Sequence, residues 1–242
     1  MKSFSQLRYA LGRRITAFRN RGNAVECPNC GRSWSRFKAA WNREGAICWR
    51  CGSHERHRAQ WLLLSRRPQL LDSATELLHF APEYCLEVNL RAAQRSRGQK
   101  YTTADINPAG VDLQLDLMSV ELDSDSFDAV ICSHVLEHVL DDQLAMSELH
   151  RVIRRGGWCL VSVPLDPSRE ATHEDASVTS PADRQRQFLQ SDHLRLYAPD
   201  IEQRLSAAGF QVDVIKPSEF FAAEEITRYG LLKNSWIFIC WA

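Results

Sequence analysis

Residues 126–164, SFDAVICSHVLEHVLDDQLAMSELHRVIRRGGWCLVSVP, constrain the fold more than any other stretch of this chain. Ala129 to Cys132 is a short apolar run bounded by Asp128 and Ser133, which suits a strand buried on both faces of a parallel sheet. Val135, Leu136, Val139, Leu140, Leu144, Met146, Leu149, Val152 and Ile153 then recur mostly at helical spacing, predicting a helix with a break near Asp141 and Asp142. Gly156 and Gly157 are expected to close that helix, and Trp158 to Val163 to form a second buried strand stopped by Pro164. A strand, a helix and a strand in this order form a right-handed crossover, so an open parallel sheet is the leading architecture.

The chain has 242 residues, enough for one full core and a small appendage, and 44% hydrophobic with 25% charged residues is ordinary globular composition. No apolar run reaches the roughly 18 residues of a membrane span, and the N-terminus lacks a signal-peptide pattern, so a cytoplasmic protein is expected. Charge is unevenly placed. Up to Arg67 there are 15 Lys and Arg against Glu26, Glu44 and Glu55, while the remainder is acidic by the same margin. A basic front end and an acidic rear are expected to dock or to bind different things. Within residues 1–22, Phe4, Leu7, Leu11, Ile15 and Phe18 make one apolar stripe among arginines if helical. That fits an in-plane anchor at the inner membrane surface, a phosphate-contacting arm, or a helix packed on its own protein.

Eight cysteines divide into two groups. Cys27 and Cys30, then Cys48 and Cys51, form two Cys-x-x-Cys pairs at the separation of paired zinc knuckles. Four thiolates complete a tetrahedral shell with no position left for substrate, so a structural Zn2+ ribbon is expected, with Gly31 and Gly52 in tight turns behind each pair. Trp34, Phe37 and Trp41 should pack over it. His54 and His57 would be superfluous as ligands. Cys85, Cys132, Cys159 and Cys240 lie scattered in apolar runs and read as buried free thiols.

Acids fall at strand ends downstream. Glu76 to Glu83 should be the first sheet strand and its turn, and Tyr101 to Asp105 the next strand. Asp105 follows Glu83 by 22 residues, placed to take two ribose hydroxyls as a bidentate acceptor. Val111 to Asp116 alternates as a third strand. His134, Glu137 and His138 share one face if helical. Leu165 to Asp192 is polar and long, as lids and acceptor-binding insertions are. Pro199 to Ala208 reads as a helix, Phe210 to Ile215 and Ser235 to Trp241 as strands, with an apolar loop from Phe220 to Leu232 expected to cover the acceptor cleft.

The order Asp128, apolar strand, His134, Val135, Leu136, Glu137, His138, then Glu148, Leu149, Arg151, Val152, Ile153, Gly156 and Gly157 resembles the middle of a class I S-adenosylmethionine-dependent methyltransferase of the type 11 group. The similarity runs from about Leu77 to the C-terminus. Cys51 to Arg58, CGSHERHR after a zinc ribbon, and His79 to Glu83, HFAPE, resemble a subgroup of it. The usual acidic residue and glycine-rich first turn are replaced here by His79, Ala81, Pro82 and Glu83.

The resemblance implies an α/β, Rossmann-like methyltransferase sheet, mostly parallel with the last strand antiparallel, behind a small N-terminal zinc ribbon. The chain then divides into a basic segment over 1–24, a ribbon over 25–54, a linking helix over 55–72 and a methyltransferase domain over 73–242 with an insertion at 165–196. It implies S-adenosyl-L-methionine as cofactor, held by His79, Phe80, Ala81, Glu83, Asp105, Ile106, Asp116, Leu117, Ser133 and His134. Glu83 would take the ammonium group, although first-turn glutamates also suit the helix dipole. Asp116 stands where the family meets the adenine amino group. His193, Arg195 and Tyr197 are the catalytic candidates: His193 to take a proton, Arg195 to hold an anionic acceptor or else to pin the lid. The expected acceptor is an O or N of a small molecule, sugar or lipid-linked glycan. An RNA methyltransferase and a non-catalytic zinc-stabilised binding module are the alternatives.

Overall fold

The computed structural model describes residues 19–40 and 43–242. Trp41 and the amphipathic stretch up to residue 18 lie outside the described residues. Among the described residues no helix is long and apolar enough to cross a membrane.

The ribbon consists of two hairpins, β1 (Arg21–Cys27) with β2 (Arg32–Trp34) and β3 (Lys38–Ala40) with β4 (Arg43–Ile47), both antiparallel. Helices α1 (Glu55–Arg66) and α2 (Pro68–Ser73) lead into the main sheet. Its chain order is β5 (Glu76–Phe80), α3 (Tyr84–Ser96), β6 (Lys100–Asp105), β7 (Leu113–Gln114), β8 (Phe127–Ser133), α4 (Asp142–Val152) and β9 (Ile153–Ser162). After β10 (His173–Glu174), α5 (Pro181–Phe188) and β11 (Arg195–Leu196) come α6 (Ile201–Ala207), β12 (Gln211–Ile215), α7 (Pro217–Phe220), α8 (Ala223–Tyr229) and β13 (Ile237–Trp241).

The seven strands run in the order β12, β13, β9, β8, β5, β6, β7. All neighbours are parallel except β13, which is antiparallel to both β9 and β12. The apolar runs become interior strands because each face has its own layer to bury against. Ala129 and Ile131 join Leu62, Leu63 and Leu86 on one side, and Val130 and Cys132 join Met146, Leu149 and Ile201 on the other. Trp158 and Leu160 of β9 alternate with Cys159 and Val161 in the same way. Chain order reverses at β5, with β6 on one side and β8 on the other, so the carboxyl ends of β5, β6 and β8 border the crevice where such sheets take ligands.

Four sequence expectations are corrected. His134, Glu137 and His138 lie in an irregular turn, since α4 starts only at Asp142 with Asp141 as its cap, accepting from the Leu144 N–H at 2.9 Å. Gly156 and Gly157 do not cap that helix. They lie inside β9, where a Cβ on Gly157 would come within 2.5 Å of the Asp128 carbonyl oxygen. The third strand shrinks to Leu113 and Gln114, because Asp112 turns its carboxylate onto Thr103, accepting from its N–H at 2.9 Å and its hydroxyl at 2.8 Å. The Phe220 to Leu232 stretch folds as α7 and α8, and Phe221, Ile226 and Leu231 pack into the α1 core layer. The insertion carries structure of its own: β10 pairs with β11, and Val178, Phe188 and Leu196 form a small core.

Candidate functional site

The ribbon gathers its four thiols. Cys27 and Cys51 sulfurs are 3.6 Å apart, Cys30 and Cys48 sulfurs 3.7 Å. Zn–S bonds of about 2.3 Å in a tetrahedron put sulfurs about 3.75 Å apart, so the donor set fits this metal. Gly31 and Gly52 take φ of +64° and +75°, and their N–H groups return to the Cys27 and Cys48 carbonyls. The Ser53 hydroxyl stands 3.1 Å from the Cys27 sulfur and 3.3 Å from that of Cys51.

The ribbon does not hang from a linker. Arg58 of α1 is fully buried and donates to the carbonyls of Ala46 (2.9 Å), Ser53 (2.9 Å) and Gly45 (3.3 Å), and across the chain to Tyr229 (2.6 Å) and Gly230 (2.7 Å). Its guanidinium also lies 4.0 Å over the Phe37 ring. One side chain thus ties the ribbon, α1 and the end of α8 together.

That anchoring sets the first turn of α1 over the carboxyl ends of β5 and β8. The first rim turns through Ala81, whose φ of +47° is the left-handed conformation that glycine supplies in a glycine-rich turn. Its N–H reaches the Ala104 carbonyl of β6 at 2.8 Å, drawing two rims together. Glu83 follows as the N-terminal cap residue of α3, and its carboxylate is the centre of a polar cluster. His57 Nε2 stands 3.1 Å from Oε1, His79 Nε2 3.5 Å from Oε2 and Arg56 Nε 3.9 Å from Oε1. Ser133, closing β8, donates to Oε1 at 3.3 Å and accepts from Gln60 at 2.9 Å. The rims ending at His79 and Ser133 therefore meet on one carboxylate.

Burial works against the charge on Glu83, but the two histidines hold its carboxyl well below the usual range. Burial also pushes His57 down. Its Nδ1 faces the His54 N–H at 3.2 Å and the Cys85 thiol at 3.1 Å, and burial raises that thiol to about 12. Nδ1 is thus an acceptor, and the proton of the neutral ring belongs on Nε2, toward Glu83. For His79 a carboxylate on the Nε2 side leaves Nδ1 to accept from the Tyr101 hydroxyl at 2.8 Å.

Asp105 ends β6, one oxygen accepting the Asn107 N–H at 2.8 Å, and Ile106 beside it is 67% exposed, an apolar plate next to the acid. Asp116 accepts the Met118 N–H at 2.8 Å in a turn whose Leu117 is buried, and Phe80 is core. His134, directly after Ser133, takes φ of +56° and sits 3.0 Å from Glu137 through Nδ1. So His79, Ala81, Glu83, Ser133 and His134 gather at the β5 and β8 rims, with Asp105 and Ile106 at the adjoining β6 rim. Asp116, Leu117 and Phe80 make none of these contacts. Among the described residues, buried Arg56 Nε has no hydrogen-bond partner, and Glu83 Oε2 has only the His79 ring, 3.5 Å away. An ammonium group at Glu83 and a carboxylate at Arg56 would satisfy them, so the donor set fits the amino-acid end of S-adenosylmethionine.

Arg56, His57 and Gln60 are missing from the sequence-derived site. Their signal is a charged Glu55 to Arg58 run opening a helix whose Leu62, Leu63 and Leu64 must be buried, which drags polar groups inward.

The catalytic candidates are placed differently from one another. Arg195 spends its guanidinium on the Leu136 (2.8 Å), Val139 (2.6 Å) and Leu140 (3.0 Å) carbonyls and on Glu174 at 3.1 Å, which leaves it no face for an anionic acceptor. Tyr197 is buried and donates to Asp142 at 2.8 Å. His193 is buried, its ring 4.8 Å from that of His138, with Nε2 unpartnered; burial lowers its pKa and favours the neutral ring.

A family model described as a methyltransferase domain matches residues 72–161. Solved structures share the fold. The [4+2]-cyclase SpnF is 17% identical at a TM-score of 0.52, covering 84% of this chain and 86% of its own. A SAM-dependent methyltransferase from Archaeoglobus fulgidus is 15% identical at 0.50, covering 77% and 94%. A methyltransferase of the same class from Mesorhizobium loti is 17% identical at 0.50, covering 75% and 96%. No curated protein matches by sequence. Residues 72–161 thus match a methyltransferase domain within a chain that shares the fold of these solved structures, with a four-cysteine cluster ahead of the match. The cyclase shows that likeness of fold alone does not choose a reaction.

One consequence for stability follows at the start of α1. His54 is pushed down to about 4 by burial and by the charges of Arg56, His57, Arg43 and Arg58. In the unfolded chain its pKa is about 6.5, so between these values the unfolded state binds a proton that the folded state refuses. Stability is thus fully present above about pH 6.5 and falls on acidification toward pH 4, by about 1 kcal/mol for this partly solvated ring. His54→Gln is expected to flatten that limb in melting temperature recorded against pH. An unchanged slope would remove His54 from the account.

Proposed function

We propose that this protein transfers the methyl group of S-adenosylmethionine to an oxygen or nitrogen of a small-molecule, sugar or lipid-linked glycan acceptor, with its ribbon folded around a structural Zn2+. When bound, the cofactor supplies a methyl already activated on sulfur, so the protein's work is positioning and exclusion of water. Glu83 takes the ammonium end, Arg56 the carboxylate end and Asp105 the ribose hydroxyls, while α1 roofs the site. The observation that carries this reading is the convergence of Glu83 and Ser133 at 3.3 Å on a topological switch point whose buried polar atoms still lack partners. Exposed Leu140 (77%), Leu144 (45%) and Leu189 (57%), on segments flanking His138 and His193, support an acceptor with an apolar part. The basic residues 1–22 suit work at the inner face of a membrane.

Calorimetry with S-adenosylhomocysteine tests it. The full chain should bind, and Asp105→Ala should weaken binding at least about 100-fold, the worth of two hydrogen bonds to a charged acceptor. Absence of heat with the wild-type chain would end the methyl-transfer reading.

A further inference from the structure

Beyond the thiol cluster, the described residues bring together a second set of metal-ligating side chains, Glu137, His138 and His193, each offering an atom within 4.8 Å of the others. Glu137 comes from the turn after β8, and His193 from the segment ahead of β11. The Leu194 N–H joins the two segments by donating to the Glu137 carbonyl at 2.8 Å.

We propose that Glu137, His138 and His193 bind a divalent transition-metal ion at the edge of the cofactor cleft.

Each donor is aimed and held from behind. His193 Nδ1 donates to the Phe188 carbonyl at 2.9 Å, which fixes the tautomer and leaves the Nε2 lone pair buried and without a partner. His138 Nδ1 lies 3.4 Å from Asp192, and its Nε2 is 4.0 Å from Glu137. Glu137 is fully buried, with Oε1 held by His134 at 3.0 Å and Oε2 unpartnered. Metal-bound imidazoles usually have their second nitrogen on a carbonyl or carboxylate, as the His193 ring does here, while the His138 ring has the Asp192 carboxylate near its own. The other reading, a buried ion pair beside two rings packed edge to face, leaves a carboxylate oxygen and an imidazole nitrogen desolvated and unsatisfied, at about 1–3 kcal/mol each. A cation bonded at about 2.0–2.2 Å needs its ligands about 3.0–3.6 Å apart, a contraction of about an ångström from the present spread.

Two imidazoles and one carboxylate suit zinc, iron, cobalt or manganese in the divalent state, and leave positions open on the side of the exposed His138 ring. Its role toward an acceptor rests on the methyl-transfer reading: a cation beside an acceptor hydroxyl favours the ionised form, the proton leaving to solvent past His138. Metal binding itself does not rest on it.

The test adds cobalt(II) to the full chain carrying one equivalent of zinc, which the four thiolates take first, followed by calorimetry and visible absorption. Uptake with weak nitrogen- and oxygen-ligand bands is expected, with His138→Ala and His193→Gln each weakening it at least about tenfold. Asp105→Ala should leave uptake unchanged, so a failed cofactor assignment and a failed metal site are told apart. His138 is on the surface, so its variant guards against a His193 variant that does not fold. No uptake, uptake undiminished in His138→Ala, or a strong thiolate charge-transfer band showing cobalt only in the ribbon would each overturn the site.

Discussion

Arg58→Ala is expected to destabilise the protein by about 3–5 kcal/mol, the scale for stripping one side of a buried charged network. At this chain length that corresponds to a drop in melting temperature of about 10 °C. The size follows from what is left behind. The carbonyls of Gly45, Ala46, Ser53, Tyr229 and Gly230 lose their donor in a buried to half-buried site, and Phe37 loses the guanidinium over its ring. Arg58→Lys should recover little, because one ammonium cannot reach acceptors spread around a planar fork. The loss should also be felt at the cofactor site, since α1 carries Arg56, His57 and Gln60 to Glu83 and Ser133. Thermal unfolding decides the matter: a shift of only a degree or two in Arg58→Ala would mean that the ribbon is held by something else.

Arg58 also shows where sequence reading reaches its limit. The sheet was legible because interior strands must be apolar on both faces, as Ala129 to Cys132 and Trp158 to Val163 are in its parallel part and most of Ser235 to Trp241 is in its antiparallel part. The clustering of the four cysteines was legible because a metal shell fixes the spacing of its ligands. The place of Asp105 at the end of a strand was legible because a strand followed by a helix of ordinary length puts the next strand end about 20 residues on. What failed was decided by distant partners. His134, Glu137 and His138 have helical spacing, yet Arg195, some 55 residues away, takes the Leu136, Val139 and Leu140 carbonyls that a helix would have used itself. The same bonds turn Arg195 from an acceptor ligand into a brace. A glycine search misses the first turn because Ala81 adopts the left-handed conformation regardless, held by its bond to Ala104. A non-glycine residue with positive φ at each of two neighbouring rims, Ala81 and His134, is strain concentrated where a ligand is expected.

Glu83→Gln is expected to weaken S-adenosylhomocysteine binding about 30- to 1000-fold, that is by about 2–4 kcal/mol. The substitution keeps the shape and one acceptor for the Ser133 hydroxyl, but removes the charge held low by His57 and His79. In the wild-type chain the carboxylate already faces Nε2 of both rings and Arg56, so an incoming ammonium meets an ionised acceptor without reorganisation. In the variant it meets an amide whose N–H₂ points a partial positive charge into the same space. Methylthioadenosine, which has the nucleoside but no amino acid, separates this effect from general damage: its affinity should change less than about threefold, because Asp105 and Ile106 are untouched. If both ligands weaken together, Glu83 is a structural strut. If neither does, the ammonium group lies elsewhere, and the convergence of His57, His79 and Ser133 on this carboxylate serves only to fasten α1 to the sheet.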